Sequence, residues 1–220
     1  MRPITATVGP LAAASANAIA TSQTPTSGTA LTIDGALAAS GVATLDQPRQ
    51  VLVTYGNEAS ARTMVVTGTT FSGRPATETV AIPSGGAGTV ATVLDYATVT
   101  QLMPGGGDYT AAVTVGTNAL AGSPWVRLDE WAMPQTTIQC VVSGTVNYTV
   151  QATLDDPNSL TNPVAINAVT WSDSTDTNAV SATGTVLTYF AYAPIFARVL
   201  INSGAGTVTA TFAQSLVTPA

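Results

Sequence analysis

The run Ile138-Gln139-Cys140-Val141-Val142-Ser143-Gly144-Thr145-Val146-Asn147-Tyr148-Thr149-Val150-Gln151-Ala152-Thr153-Leu154-Asp155-Asp156 decides how the chain is read. From Val146 to Leu154 apolar side chains take every second position, with Asn147, Thr149, Gln151 and Thr153 between them. That period marks a half-buried strand, because successive side chains leave opposite faces. Ile138, Cys140 and Val142 keep the same alternation until Ser143-Gly144 interrupts it. The spacing predicts a β-hairpin, in which residues opposed across the ladder share a face. A two-residue loop would set Val142 against Thr145 and mix the faces. A three-residue loop, Ser143 to Thr145, opposes Val142 to Val146, Cys140 to Tyr148 and Ile138 to Val150, and that is the expected register. Thr145, where a glycine is usual, speaks against this loop. The outward set, Thr137, Gln139, Asn147, Thr149, Gln151 and Thr153, carries no charge and is the expected contact face for a neighbouring subunit.

Outward from this stretch, composition points the same way. Thr, Ser, Gly, Ala and Val dominate the 220 residues and no long helical period appears, which favours an all-β architecture. Charged residues make up 8% of the chain, against about 25% in an average soluble domain. There are six arginines, no lysine and no histidine, against twelve carboxylates, for a net charge of −6. Such a balance argues against nucleic-acid binding through phosphate neutralisation. Lysine is the usual protection for an exposed sheet edge, so the edges here must be covered by a multi-subunit assembly or by loops. Cys140 is the single cysteine; it cannot form an intrachain disulfide and its place in the alternation assigns it to the core. No apolar run is long enough to cross a bilayer. Ala16-Asn17-Ala18 follows a short apolar patch, but Pro3, Thr5 and Pro10 interrupt the segment that a signal peptide needs, so the expectation is a protein made and used without export.

The order of signals predicts an all-β chain of two small antiparallel β-sandwich (jelly-roll-like) modules behind an extended N-terminal arm. Residues 1–29 are rich in Ala, Thr and Ser and would form the arm, packed on a neighbouring subunit. Residues 30–121 form the first module, with strands expected at 30–33, 42–45, 50–55, 63–67, 77–82, 89–96, 99–103 and 109–115, and with Asp46-Gln47-Pro48 as a turn. Residues 122–220 form the second, with Asn118 to Pro124, which contains Ala-Gly-Ser-Pro at 121–124, as the boundary segment. It includes strands over 165–171 and 185–192. A last hairpin is expected to oppose Ile201 to Val208 and Val199 to Ala210 across a loop from Ser203 to Gly206.

Few residues here support catalysis. Without histidine or lysine there is no Ser-His triad, Schiff-base nucleophile or histidine-ligated zinc. The carboxylate neighbours Asp129-Glu130 point to opposite faces of a strand, and Asp155-Asp156-Pro157-Asn158 reads as a turn in which aspartate bonds its own backbone. No cofactor is expected; Asp173, Asp176 and Asn178 are the only candidate calcium ligands, in a spacing unlike that of a calcium-binding loop. Trp125, Trp131 and Trp171 read either as core anchors or as a sugar-stacking platform.

The runs Thr44-Leu45-Asp46-Gln47-Pro48-Arg49-Gln50-Val51-Leu52, Ser143 to Val150 with Asp155-Asp156-Pro157, and Ala197-Arg198-Val199-Leu200 through Phe212 resemble those of tailed-bacteriophage virion structural proteins. The resemblance implies a β-rich, non-enzymatic protein of the virion, assembled in the host cytoplasm. Proteins of that kind serve as capsid decoration or cement proteins or as parts of the neck and tail, and the resemblance does not choose between them; the leading expectation is a capsid decoration or cement protein, a homo-oligomer that bridges subunits of the major capsid protein. A tail, collar or fibre component touching other virion proteins or the host surface is the alternative. A carbohydrate-binding β-domain built on the three tryptophans is the reading from another class.

Overall fold

The computed structural model describes residues 3–129 and 135–214. It is all-β, with no α-helix among the described residues. The strands are β1 (Ile4–Val8), β2 (Ser15–Gln23), β3 (Ala38–Ala39), β4 (Val42–Tyr55), β5 (Arg62–Thr69), β6 (Pro75–Ile82), β7 (Gly88–Gly105), β8 (Val113–Gly122), β9 (Val126–Arg127), β10 (Thr136–Ser143), β11 (Val146–Thr153), β12 (Ser172–Asp173), β13 (Val186–Phe190), β14 (Phe196–Gly204) and β15 (Thr207–Gln214). They fall into two compact units, Met1–Leu11 with Ala119–Ala220, and Ala12–Asn118.

The discontinuous unit is a sandwich. One sheet runs β1-β15-β10-β13, antiparallel throughout. The other pairs β11 with β14 and β12, and adds to β14 the short strand β9 and the end of β8. One buried cluster joins their inner faces, with Ala6, Val8, Ile138, Cys140, Phe190, Val208, Ala210 and Phe212 on one side and Val146, Tyr148, Val150, Ala197, Val199 and Ile201 on the other. The small residues among them allow the sheets to interlock at the close packing of a protein interior.

The stretch 138–156 therefore does not form the expected hairpin. Cys140 lies opposite Ala210 and Val186, and Ile138 opposite Phe212 and Thr188. Tyr148 lies opposite Ile201, and Val150 opposite Val199. At Ser143-Gly144-Thr145 the chain leaves one sheet for the other, so β10 and β11 face each other through the core. The expected hairpin at 195–212 is the same kind of arch: β14 and β15 lie in different sheets, and Val199 does not pair with Ala210. Each arch pairs with the other, β10 on β15 and β11 on β14. Alternation fixes which side chains point inward, and an arch satisfies it as well as a ladder does. Glycine makes the crossings possible. Gly206 N–H donates to the Thr145 carbonyl at 2.8 Å, and Gly204, at φ +97°, has backbone where a Cβ would stand, 2.5 Å from the Thr145 oxygen.

The continuous unit is an irregular sheet ordered β8-β4-β7-β5-β6, with β2 on β8 and β3 on β4. Strands β4 and β7 run through the expected breaks, with register shifts between Thr44 and Arg49 and between Gln50 and Leu52. Asp46-Gln47-Pro48 is a bulge inside β4, the place in a sheet where proline is tolerated. Residues 30–33 are not a strand; the Gln23 amide holds them, donating to the Thr32 carbonyl (2.7 Å) and accepting from its N–H (2.9 Å). Residues 165–171 likewise contain a 3-10 turn, Ile166–Ala168.

The expected N-terminal arm is divided between the units. Ile4 to Val8 pair with Phe212 to Val208, and Ala6 and Val8 enter the sandwich core. Ser15–Gln23 pairs with β8 in the other unit. Alternating Ile4, Ala6 and Val8 supply what an edge strand needs, so the segment is used within its own chain. Boundaries at 11/12 and 118/119 replace those expected at 29/30 and 121/122.

Candidate interaction surface

The outer face of the β1-β15-β10-β13 sheet is built by parity. With Ala6, Ile138, Thr188 and Phe212 turned inward, Thr5 and Thr7, Thr209, Thr211 and Ala213, Thr137, Gln139 and Val141, and Leu187 and Tyr189 turn outward. Not one of these side chains is charged. Threonine hydroxyls run as a rung across it, Thr7 to Thr209 at 3.3 Å and Thr5 to Thr211 at 3.5 Å. Towards the β13 edge the face becomes apolar: Leu187 is 71% exposed, Tyr189 55% and Val141 47%. Exposed apolar side chains gathered on one sheet face mark an interaction site more often than scattered ones do.

The six residues expected to share one contact face do not. Thr137 and Gln139 stand exposed on this outer face. Asn147, Thr149, Gln151 and Thr153 belong to the other sheet, because 138–156 is an arch, and the chain between β11 and β13 occupies their polar groups. Thr149 Oγ1 accepts from Ser181 N–H (3.1 Å) and from the Asn202 amide (3.0 Å), and Asn147 donates to the Ser181 carbonyl (2.9 Å). Gln151 bridges Asp173 and Arg198, at 2.9 Å each, and Thr153 Oγ1 accepts from Asp155 N–H. Thr149 and Thr153 are buried.

The calcium candidates are likewise committed elsewhere. Asp173 accepts from Gln151, while Asp176 accepts from Asn178 N–H (3.0 Å) and its side-chain amide (3.0 Å) and from the Thr188 hydroxyl (2.7 Å). The hydrogen bonds from Thr188 and Asn178 hold the Asp176 carboxyl below the usual range. Among the described residues no three acidic, cysteine or histidine side chains converge as a metal site would require.

Trp125 and Trp171 meet edge to face, ring centroids 5.0 Å apart, and the Arg198 guanidinium lies 4.2 Å from the centroid of Trp171. Phe196 completes the group, 5.8 Å from Trp125 and stacked by Arg127 at 5.4 Å. Two rings near right angles, one of them stacked by a guanidinium, do not make the flat platform on which a sugar stacks. Trp131 and Glu130 lie outside the described residues. Asp155 accepts from Thr170 N–H (2.7 Å), and Asp156 caps the turn at Asn158 N–H (2.8 Å) while pairing with Arg127 (3.0 Å). A shallow cleft of about 300 Å³ is lined by Leu154, Asp155, Thr170, Ser172 and Tyr192. Cys140 is fully buried, and burial pushes its thiol up to about 11, leaving it protonated and unreactive at neutral pH.

Leu187 and Tyr189 are the surface residues that sequence reasoning missed. The run Val186-Leu187-Thr188-Tyr189-Phe190 is apolar on both parities, so the alternation that identifies a one-sided strand is silent there. That two-sidedness was itself the signal: one face joins the core and the other is left for something else.

No family model matches the chain, and no curated protein matches it. Among solved structures, a chain of "The Triple Jelly Roll Fold and Turret Assembly in an Archaeal Virus" is similar at 16% identity and a TM-score of 0.20, over 79% of this chain and 54% of that one. The present chain thus spans about half the length of that structure, and so slight a likeness carries no argument about fold or role.

Proposed function

We propose that the protein is a non-enzymatic structural component of a virion, a capsid decoration or cement protein that bridges neighbouring capsid subunits. The observation that carries this reading is the outer face of the β1-β15-β10-β13 sheet: broad, free of charge and apolar towards an open edge. In a chain of net charge −6, a face without a carboxylate is one that can lie against a partner without burying an unpaired ion. Its chemistry is additive: threonine methyls and hydroxyls, Leu187 and Tyr189 supply many weak neutral contacts, which symmetry multiplies over a shell. Obligate interfaces of this kind bury about 2,000 Å² or more. The sequence resemblance to tailed-phage virion proteins supports the same assignment, as does the lack of any histidine or lysine for catalysis.

The test is to compare heads with and without the protein. Cemented heads should withstand heating and low salt that open bare ones; equal survival would remove the cement role. Copy number separates it from a tail, collar or fibre component, since hundreds per particle belong to a head and six or twelve to a neck or tail.

A further inference from the structure

We infer that two copies of this chain join edge to edge through β13, in an antiparallel register centred on Thr188, and extend the four-stranded sheet into one of eight. The inference deepens the assembly reading above by naming the contact between copies.

β13 is the last strand of its sheet, bonded to β10 on one side only. Among the described residues its outer edge makes no backbone hydrogen bond, and the turn Thr177–Ala179 packs against the strand. Val186-Leu187-Thr188-Tyr189-Phe190 lacks three of the devices with which monomeric proteins close such an edge: it has no charge, no proline and no bulge. Five residues of high β-propensity without a gatekeeper form a ready template for another strand.

The occupant follows from the segment's own symmetry. An antiparallel pair about a two-fold axis at Thr188 opposes Leu187 to the partner copy's Tyr189 and Val186 to its Phe190, with Thr188 against itself. Leu187 and Tyr189 both point outward, and Thr188 and Phe190 inward, so no side chain changes face. Each exposed leucine then covers an exposed tyrosine, a cross-strand pair of the stabilising kind. Two chains of net charge −6 repel, and the outward side chains of this edge add no carboxylate to that repulsion. Asp176 is the charged group that touches this strand; it accepts from the Thr188 hydroxyl on the inner side, so an axis at Thr188 brings the two copies' Asp176 carboxylates towards each other and the pairing must outweigh their repulsion.

The test uses the full chain in sedimentation and light scattering, with three variants. Leu187→Lys and Tyr189→Glu alter exposed side chains only, so the fold is kept, as circular dichroism would verify. Each alone should halve the solution mass, to the 22.1 kDa of one chain. The double variant places opposite charges against each other twice across the proposed register and should restore the doubled mass. A wild-type chain that is monomeric at its solubility limit, a dimer that both single changes leave intact, or a double variant that stays monomeric would each overturn the inference. The wild-type chain keeps the two readings apart: a monomer that still protects bare heads retains the cement role without the edge contact, whereas a dimer that protects no head retains the contact without the role.

Discussion

The two units hold themselves together by different means. The sandwich of β10, β11, β14 and β15 has a core of aliphatic and aromatic side chains, and the ion pair of Arg127 with Asp156 lies outside that core, with the arginine about half exposed. The unit from Ala12 to Asn118 buries charge. Arg49 is 1% exposed; its Nε and Nη2 donate to Asp46, and its Nη1 donates to the carbonyls of Ala12 (3.1 Å) and Asn118 (2.8 Å). Glu58, fully buried, accepts from Thr110 N–H (3.0 Å), Ala111 N–H (3.1 Å) and the Thr110 hydroxyl (3.2 Å). Glu78 accepts from Val93 N–H (2.7 Å) and Leu94 N–H (3.0 Å), where β7 departs from regular pairing. The difference follows from backbone regularity. In the sandwich the strands mostly satisfy one another's hydrogen bonds, with one register shift at Asn147 and Tyr148, whereas the more heavily bulged β4 and β7 leave N–H and C=O groups that charged side chains must meet. A chain with so few charges has spent several of them there, which helps to leave its outer faces neutral.

The largest expected break in this comparison comes from Arg49→Met. It leaves two carbonyls and the partly exposed Asp46 carboxylate without their shared donor, and each hydrogen bond to a charged group is worth about 1.5–3 kcal/mol. The loss should be confined to one unit. All three tryptophans belong to the other, so fluorescence should keep its wild-type urea midpoint while far-ultraviolet circular dichroism gains an earlier transition. Coincident shifts would mean that the units do not unfold separately.

Acid should sharpen the contrast. Burial would raise the Glu58 and Asp46 carboxyls, but the N–H groups of Thr110 and Ala111 outweigh it for Glu58, and Arg49 and the Ala12 N–H do so for Asp46, so both titrate below their ordinary values of 4.5 and 3.8. A depressed folded pKa gives stability that is full above the unfolded pKa and is lost as pH falls through the folded one. The Ala12–Asn118 unit should therefore weaken as pH drops below about 4. Glu58→Gln, which keeps one acceptor and removes the charge, should cost about 1–3 kcal/mol at pH 7 and flatten that acid dependence. An unchanged acid midpoint in the variant would dissociate Glu58 from the effect. The smallest change is expected from Thr209→Val on the open face, within about 0.5 kcal/mol by urea denaturation. A larger loss would mean that the threonine rung is structural rather than kept for a partner.

Which residues enter the core was legible in the sequence, and which strands adjoin was not. Ile138, Cys140, Val142, Val146, Tyr148, Val150 and Ala152 point inward as their alternation required, while Leu154, the last of that series, lies beyond the strand and is 67% exposed; period two does not say whether the strand opposite is a ladder neighbour or lies across the core. Thr145 in place of glycine was the local objection to a hairpin loop, and the arch agrees with it. Glu78 was readable as well: in Pro75–Ile82 it shares the parity of Ala76, Val80 and Ile82, which placed a carboxylate on the buried side. Arg49 was hidden, since Asp46-Gln47-Pro48 has the composition of a turn, and only tertiary contact with Ala12 and Asn118 makes it a bulge. The face proposed for contact was half legible, through Thr137 and Gln139, because its other half sits on a strand without one-sided alternation.

The Arg49 clamp has a genetic consequence. Ala12 and Asn118 are the first and last residues of the continuous unit, and one nitrogen of one guanidinium holds both carbonyls, so the chain enters and leaves that unit at neighbouring points. A segment with adjoining ends is a cassette: it can be gained, lost or exchanged between genes while Leu11 and Ala119 need only a short bridge, and the sandwich with its open edge would pass unaltered from one lineage to the next.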